Sequence, residues 1–306
     1  MKQGASWACG LALLCASCGD DDASVADAGG ARTDAAGVDA GPPSDAGPPS
    51  DAGPTDASRP DGGTGVDAGA RPIWRPAPGT SWQWQLSGTL DTTVDVAMYD
   101  VDLVETSAAA VGMLHGAGRV VICYFSAGTI EEGRPDFADF PASAIGMTLP
   151  DWPAERWVDT RDATVRDIMR RRLDLAVTRG CDGVEPDNVD AYANASGFPL
   201  TAADQLDFNR FLATEAHARG LSVGLKNDLG QVTALVADFD WALDEECFRY
   251  SECGTLQPFI DAGKAVFQVE YGDMALATTV CPQANALDFD TLIKNLDLDA
   301  WRIACR

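Results

Sequence analysis

The stretch Gly180-Cys-Asp-Gly-Val-Glu-Pro-Asp-Asn-Val-Asp190 decides how the rest of the chain is read. A long amphipathic segment runs into it, Gly180 stops that segment, and Gly183–Val184 opens an apolar run suited to a short buried strand. Glu185, Asp187, Asn188 and Asp190 then place four polar or acidic groups within six residues. Carboxylates repel one another and are costly to desolvate, so elements used only for packing keep them apart. Several at the carboxyl end of a strand point to a site. A solvated acidic loop is the plain alternative, and the flanking sequence has to separate the two.

Upstream, Asp162–Arg179 begins with an Asp suited to an N-cap and sets Val165, Ile168, Met169, Leu173 and Ala176 at helical spacing. Downstream, Thr201–Arg219 opens as Thr-Ala-Ala-Asp, close to a capping box, and closes on Gly220. Residues 103–118 and 255–263 also end at a glycine before an apolar run. The strand candidates are Trp82–Leu86, Val94–Tyr99, Arg119–Ser126, Gly183–Asp187, Ser222–Lys226, Asp240–Glu245, Ala265–Glu270 and Asp288–Lys294. A helix–glycine–strand rhythm marks parallel βα units. Eight such strands predict an α/β fold, a single closed (β/α)8 TIM barrel rather than an open doubly wound sheet, with the first two units the least regular.

In a barrel of this kind function collects at the carboxyl ends of the strands. Those ends carry Asp100, Tyr124 with Ser126, Glu185 with Asp187, Lys226 with Asn227 and Asp228, Asp244 with Glu245 and Glu246, and Gln268 with Glu270 and Tyr271. The strand interiors are Val, Ala, Ile or Leu. Strands used only for packing have no reason to repeat that ending, so the loop reading of Gly180–Asp190 weakens.

The segments before the barrel have another character. Met1–Cys18 has a short basic start at Lys2 and the apolar run Trp7–Leu14, too short to span a bilayer but matching the h-region of a secretory signal. Ala16-Ser17 before Cys18, with acidic residues after it, resembles a bacterial lipoprotein signal, which makes Cys18 the expected lipidated residue. An ordinary cleaved signal giving a secreted soluble protein is the alternative, and both export the chain. Residues 19–71 repeat Asp-Ala-Gly, including Ser44–Pro49 and Ser50–Pro54, and contain no aromatic residue. Such a composition cannot bury enough surface to offset chain entropy, so it predicts a disordered tether leading to a domain at 72–306.

That domain carries 36 acidic residues against 18 Lys and Arg, within a chain of net charge −25. Nucleic acid and anionic membrane surfaces are repelled by this balance, whereas a cationic substrate is attracted. The expected membrane link is therefore only the lipid anchor, and the domain is expected to act as a monomer. Cys123, Cys181, Cys247, Cys253, Cys281 and Cys305 are an even set in an exported chain and read as disulfides. Cys247 with Cys253 would staple one loop, and Cys281 with Cys305 would tie down the tail. Cys123 and Cys181 either pair or remain buried thiols.

The two histidines, His115 and His217, fall near helix ends, and the chain has no nucleophile elbow, phosphate loop or dinucleotide fingerprint. Carboxylate chemistry remains. Two carboxylates flanking a bond are what glycoside hydrolysis requires, one protonating the leaving oxygen and the other attacking carbon or activating water. Asp187 and Glu245, at the fourth and sixth strand ends, would face each other across a barrel mouth. An Asp/Glu site for Mg²⁺ or Ca²⁺ is the rival reading.

Five motifs then occur in order: Trp82-Gln-Trp-Gln-Leu86, Cys123-Tyr-Phe-Ser-Ala-Gly128, Gly180 to Asn188, Gly224-Leu-Lys-Asn227 and Glu245-Glu-Cys-Phe248. Together they resemble glycoside hydrolase family 114, the endo-α-1,4-polygalactosaminidase family, over roughly Trp74 to Arg306. The resemblance implies a (β/α)8 barrel that cleaves galactosamine-containing exopolysaccharide with no cofactor. It also implies a catalytic Asp and Glu, which fall on Asp187 and Glu245. Glu246 follows Glu245, and only one of two neighbours on a strand points inward; the family pattern favours the first. Glu185 is expected to bind a substrate amine, alongside Asp100, Asp190 and Glu270 as attractors of a cationic polymer. Tyr124, Ser126, Asn188, Lys226, Asn227, Gln268, Tyr271 and Trp82 complete the expected substrate contacts, with Trp82, Trp84, Tyr124 and Tyr271 as sugar platforms. A carbohydrate-binding barrel without turnover and a hydrolase of another α-linked sugar are the competing functions.

Overall fold

The structure, a computed structural model, describes residues 72–306. The expected signal, the lipidated Cys18 and the tether lie outside the described residues.

Strands β1 (Trp82–Gln85), β2 (Met98–Asp102) and β3 (Val120–Ser126) are followed by a small antiparallel sheet of β4 (Thr129–Glu131), β5 (Ile145–Thr148) and β6 (Glu155–Val158). The main sheet continues with β7 (Gly183–Asp187), β8 (Ser222–Lys226), β9 (Trp241–Glu245), β10 (Val266–Tyr271) and β11 (Asp290–Lys294), and ends in β12 (Arg302–Ala304). Pairing runs β1-β2-β3-β7-β8-β9-β10-β11, all parallel, with β12 antiparallel on β11. Helices α1 (Ala108–Gly116), α2 (Ala163–Arg179), α3 (Ala202–Ala218), α4 (Val232–Leu235), α5 (Cys247–Tyr250), α6 (Gln257–Asp261) and α7 (Met274–Ala286) punctuate the strands. This is a nearly closed (β/α)8 barrel.

The gap between β1 and β11 is bridged by side chains and loops. The Trp82 indole donates to the Asp290 carbonyl at 2.8 Å, Gly79 N donates to the Asp290 carboxylate, and the Arg302 guanidinium donates to the Trp82 carbonyl. Leu86 N and Ser87 N both donate to the Leu298 carbonyl.

Local signals act where the sequence puts them. Asp162 accepts from Thr164 N and Val165 N to start α2, and Gly180, at φ 89°, ends it in the left-handed region where a side chain is strained. Thr201 and Asp204 close a reciprocal capping box on α3. Two apolar clusters pack the two faces of the barrel sheet, and a third, smaller one joins Leu149, Trp157, Ala191 and Leu200. Of the two on the sheet, one joins Trp82, Trp84, Met98, Ile122, Trp241, Leu243, Phe267 and Leu292 within the barrel; the other joins outward strand residues such as Val121, Val184 and Val223 to the helices. Period-2 alternation assigns each strand residue to one of them. Cys123–Cys181, Cys247–Cys253 and Cys281–Cys305 are all disulfides.

One expected strand is displaced: β2 begins at Met98, not Val94. Ala97 N and Met98 N both reach the Ser81 carbonyl, and the ladder to β3 starts at Met98 with Val120. The shift moves Asp100 to the middle of the strand and makes Asp102 its end. Helix α7, which the sequence pattern did not predict, starts on an Asp273 cap and contains Pro282.

Candidate active site

A cavity of ≈ 610 Å³ opens at the carboxyl ends of the barrel strands. Its floor is Trp84, Tyr124, Asp187, Lys226, Glu245 and Tyr271; one wall is Glu131 and Glu155 from the small sheet with Trp152 from the β5–β6 connection, and the other is Leu296–Asp299 from the β11–β12 connection.

Sharp backbone reversals aim the floor residues. Asn188 (φ 58°), Asn227 (φ 47°) and Glu246 (φ 64°) directly follow Asp187, Lys226 and Glu245, all in the left-handed region. Asn188 N donates to Asp187 Oδ1 at 2.7 Å, and Asn188 Nδ2 donates to Ser126 Oγ at 2.9 Å. Ala127 N and Gly128 N both donate to the Asp187 carbonyl. A Cβ on Gly128 would sit 1.7 Å from the Asn188 carbonyl oxygen, so only glycine allows this approach. Asn227 accepts from Glu245 N at 3.0 Å, fixing the end of β9.

Lys226 Nζ lies 2.9 Å from Glu185, 3.2 Å from Asp187 and 3.1 Å from Glu245. Lys226 and Glu185 are 1% and 0% exposed, whereas Asp187 and Glu245 keep 16% and 24% of their side chains open to the cleft. Burial works against the ammonium, but the three carboxylates prevail and hold its pKa well above the ordinary lysine value. The Trp84 indole donates to Glu185 at 3.1 Å, and the Lys226 ammonium lies 4.9 Å from the Trp84 ring centre. Below it, burial and then the neighbouring Glu185 push Asp100 well above the usual carboxylate range. Tyr124 donates to Asp187 Oδ2 at 3.1 Å, and Tyr271 donates to Glu245 Oε1. Burial, then the neighbouring Asp187 or Glu245, raises both phenols, so both keep their protons as donors.

Of the residues expected at the site, Asp187, Glu245, Tyr124, Asn188, Lys226, Asn227 and Tyr271 do line this cleft. Asp190 is in a polar side pocket with Asp187, Asn188 and Asn194. Others lie elsewhere. Asp100 and Glu185 are fully buried, and Glu185, expected to take a substrate amine, is already occupied by Lys226. Ser126 is buried against Thr129 and Asn188. Gln268 and Glu270 bond each other, and Glu270 accepts from Phe248 N. Trp82 starts β1 in the barrel interior and has no face toward sugar. Asp100, Glu185, Ser126 and Trp82 lie off the cleft because period-2 spacing sets the face of a strand residue but not its height along the barrel axis, whereas Gln268 and Glu270 alternate with the inward Phe267, Val269 and Tyr271 and so face the helices. Glu246 turns away and pairs with Arg249.

The sequence reading missed the outer wall. Trp152, 49% exposed, carried a usable signal as a tryptophan in the turn-rich Pro150-Asp-Trp-Pro153. Arg134 grips Asp102 through both terminal nitrogens, at 2.9 and 2.7 Å, and Glu131 at 2.8 Å. No sequence pattern marked that link.

A (β/α)8 barrel with paired carboxylates, tyrosines and an exposed tryptophan at its carboxyl face is the architecture of a barrel glycoside hydrolase. The family model of glycoside-hydrolase family GH114 matches residues 63–306, and the chain belongs to that family. Its structure is similar to that of Ega3 from Aspergillus fumigatus, solved in complex with galactosamine, with 42% identity and a TM-score of 0.74 over 76% of this chain and 98% of that one. The glycoside hydrolase domain of PelA from Pseudomonas aeruginosa shares the fold at 13% identity, with a TM-score of 0.58 over 73% of this chain and 97% of that one. No curated protein sequence matches the chain significantly.

Proposed function

We propose that the protein is an exported, endo-acting hydrolase of α-1,4-linked galactosamine polymers in which Asp187 and Glu245 are the catalytic pair. The observation that carries this reading is the convergence of both carboxylates on Lys226, within 3.2 Å, while both remain open to the cleft. Membership in GH114 and the galactosamine held by the 42% identical Ega3 support the substrate.

The two carboxyl oxygens that share the Lys226 ammonium, at 3.2 and 3.1 Å, lie at most about 6.3 Å apart, which leaves room for the ~5–5.5 Å carboxyl spacing of retaining glycosidases and falls short of the ~6.5–9.5 Å of inverting ones. In the first step Asp187 attacks the anomeric carbon as Glu245 gives its proton to the departing glycosidic oxygen. In the second Glu245 takes a proton from water, which adds to that carbon and releases Asp187. Lys226 balances charge between the two, Tyr124 and Tyr271 orient the carboxylates, and Trp152 offers a ring face to a sugar beyond the cleavage point.

Reducing-end release from α-1,4-polygalactosamine tests the pair. Asp187→Asn and Glu245→Gln are each expected to lose about 10²–10⁴-fold in rate, and proton NMR of early wild-type digests should show α-anomeric ends first. Full activity in both variants overturns the assignment. Export with a lipid at Cys18 completes the proposal; three disulfides support an oxidising compartment. Among the described residues no helix is long and apolar enough to cross a membrane.

A further inference from the structure

The small sheet that walls the cleft contains an unfavourable pairing. Strands β4 and β6 run antiparallel with Glu131 directly opposite Glu155, and both carboxylates line the cavity. Like charges directly opposite each other destabilise such a pair. Glu131 is compensated by Arg134 at 2.8 Å, but the rest of that guanidinium is committed to Asp102. Glu155 receives only the Thr129 hydroxyl, at 2.7 Å on Oε2, and forms no ion pair among the described residues. Asp187 and Glu245 share Lys226, and Asp102 and Glu131 share Arg134. Glu155 is thus the one carboxylate of the floor and this wall without a cation. Lys226 cannot serve it, being surrounded by three others.

Burial pushes Glu155 up to about 7. The charges of Glu131 on β4 and Asp187 on β7 add to the rise, while the Thr129 hydroxyl and Arg134 oppose it. A ligand cation placed here would relieve both the burial cost and the cross-strand repulsion. A hydroxyl would supply a hydrogen bond without the charge, and an acetamide would add bulk without the charge.

We propose that Glu155, with Glu131 opposite it, is the recognition point for a substrate ammonium, so that the cleft reads a 2-amino sugar in its free-amine form close to Asp187. This rests on the hydrolase reading above and adds the residue that selects deacetylated over N-acetylated units.

The test uses the full-length protein on α-1,4-polygalactosamine and on the same polymer chemically N-acetylated. The ratio of kcat/KM for the two should favour the free amine in the wild type and fall about tenfold or more in Glu155→Gln, which can keep the Thr129 bond through its amide oxygen. Glu155→Asp should recover part of the ratio. An unchanged ratio in Glu155→Gln, or a wild type that prefers the acetylated polymer, overturns the proposal. Calorimetric binding of a galactosamine trisaccharide to Asp187→Asn, with and without Glu155→Gln, separates this idea from the catalytic one. Binding that weakens about tenfold with Glu155→Gln, beside a wild type without turnover, upholds the ammonium site and sinks the hydrolase reading. Turnover with unchanged selectivity does the reverse, and neither binding nor turnover sinks both.

Discussion

An ammonium 1% exposed to solvent and surrounded by three carboxylates is costly to assemble, since each ion loses its hydration and the acids repel one another. Lys226 offsets that repulsion at the point where Asp187 and Glu245 approach, and Glu185 and Asp100 continue the network into the barrel. Lys226→Met keeps the length of the side chain and removes its charge. With the counter-ion gone the anionic forms of the cleft acids are less stable, so the acidic limb of the kcat/KM–pH profile should move up by about 1 unit or more. The maximal rate should fall at least about tenfold, and Lys226→Arg should retain the profile's position. A profile that loses amplitude without moving would reduce Lys226 to a packing role. Strand-end chemistry made Lys226 and Glu185 legible as site residues. Their pairing with each other was not, because it depends on the parallel register of β7 and β8, which a single sequence does not state.

At the level of elements, the turn from β3 into β4 couples the two halves of the cleft. Ala127 N and Gly128 N hold the Asp187 carbonyl at the end of β7, and the Gly128 carbonyl accepts from Val158 N on β6, the strand that presents Glu155. Gly128→Ala would place a methyl 1.7 Å from the Asn188 carbonyl oxygen, so the strand end bearing Asp187 must shift. Displacements near 1 Å cost roughly 10²-fold when they misplace a reacting group. The variant should therefore lose about that much in kcat/KM, measured by reducing ends, with its far-UV spectrum unchanged. Wild-type activity would show that the close approach has no bearing on the site. The sequence made Gly128 visible inside a motif but hid its partner. It also hid β4–β6, because residues 129–158 lack the helix–glycine–strand rhythm that exposed the other units, and short antiparallel strands rich in turns carry little periodic signal. The four-residue displacement of β2 has the same origin: Val94–Tyr99 is as apolar as a strand, and only the ladder to β3 decides where pairing begins.

For the whole molecule, the closed barrel was legible because eight apolar runs separated by capped helices leave few ways to bury both faces of a parallel sheet. Its seam was not, since Trp82, Asp290 and Arg302 close it through contacts far apart in sequence. The buried acids set a global property. Burial, reinforced by Glu185 for Asp100, by Asp190 for Asp228 and by Glu245 for Asp244, raises these carboxyls, with Asp228 at about 8. Burial likewise raises Asp290 to about 6 and Glu155 to about 7. Each keeps its proton to a higher pH in the folded state than in the unfolded chain, where carboxyls ionise near about pH 4. The folded state therefore binds more protons between pH 4 and 8, and stability falls as pH rises through that window. The carboxylates lowered by partners, such as Asp136, Asp159 and Glu215, titrate below it and do not oppose the trend. The excess of 36 acids over 18 bases acts in the same direction, because acidification relieves self-repulsion. Between pH 5 and pH 8 the protein should lose about 3 kcal/mol, roughly 6–12 °C in Tm for a domain of this size. Scanning calorimetry with disulfides intact checks this, and a Tm that is flat or rises from pH 5 to pH 8 would show that these carboxyls are ionised in the folded barrel, with cations or water compensating them where the geometry leaves them bare.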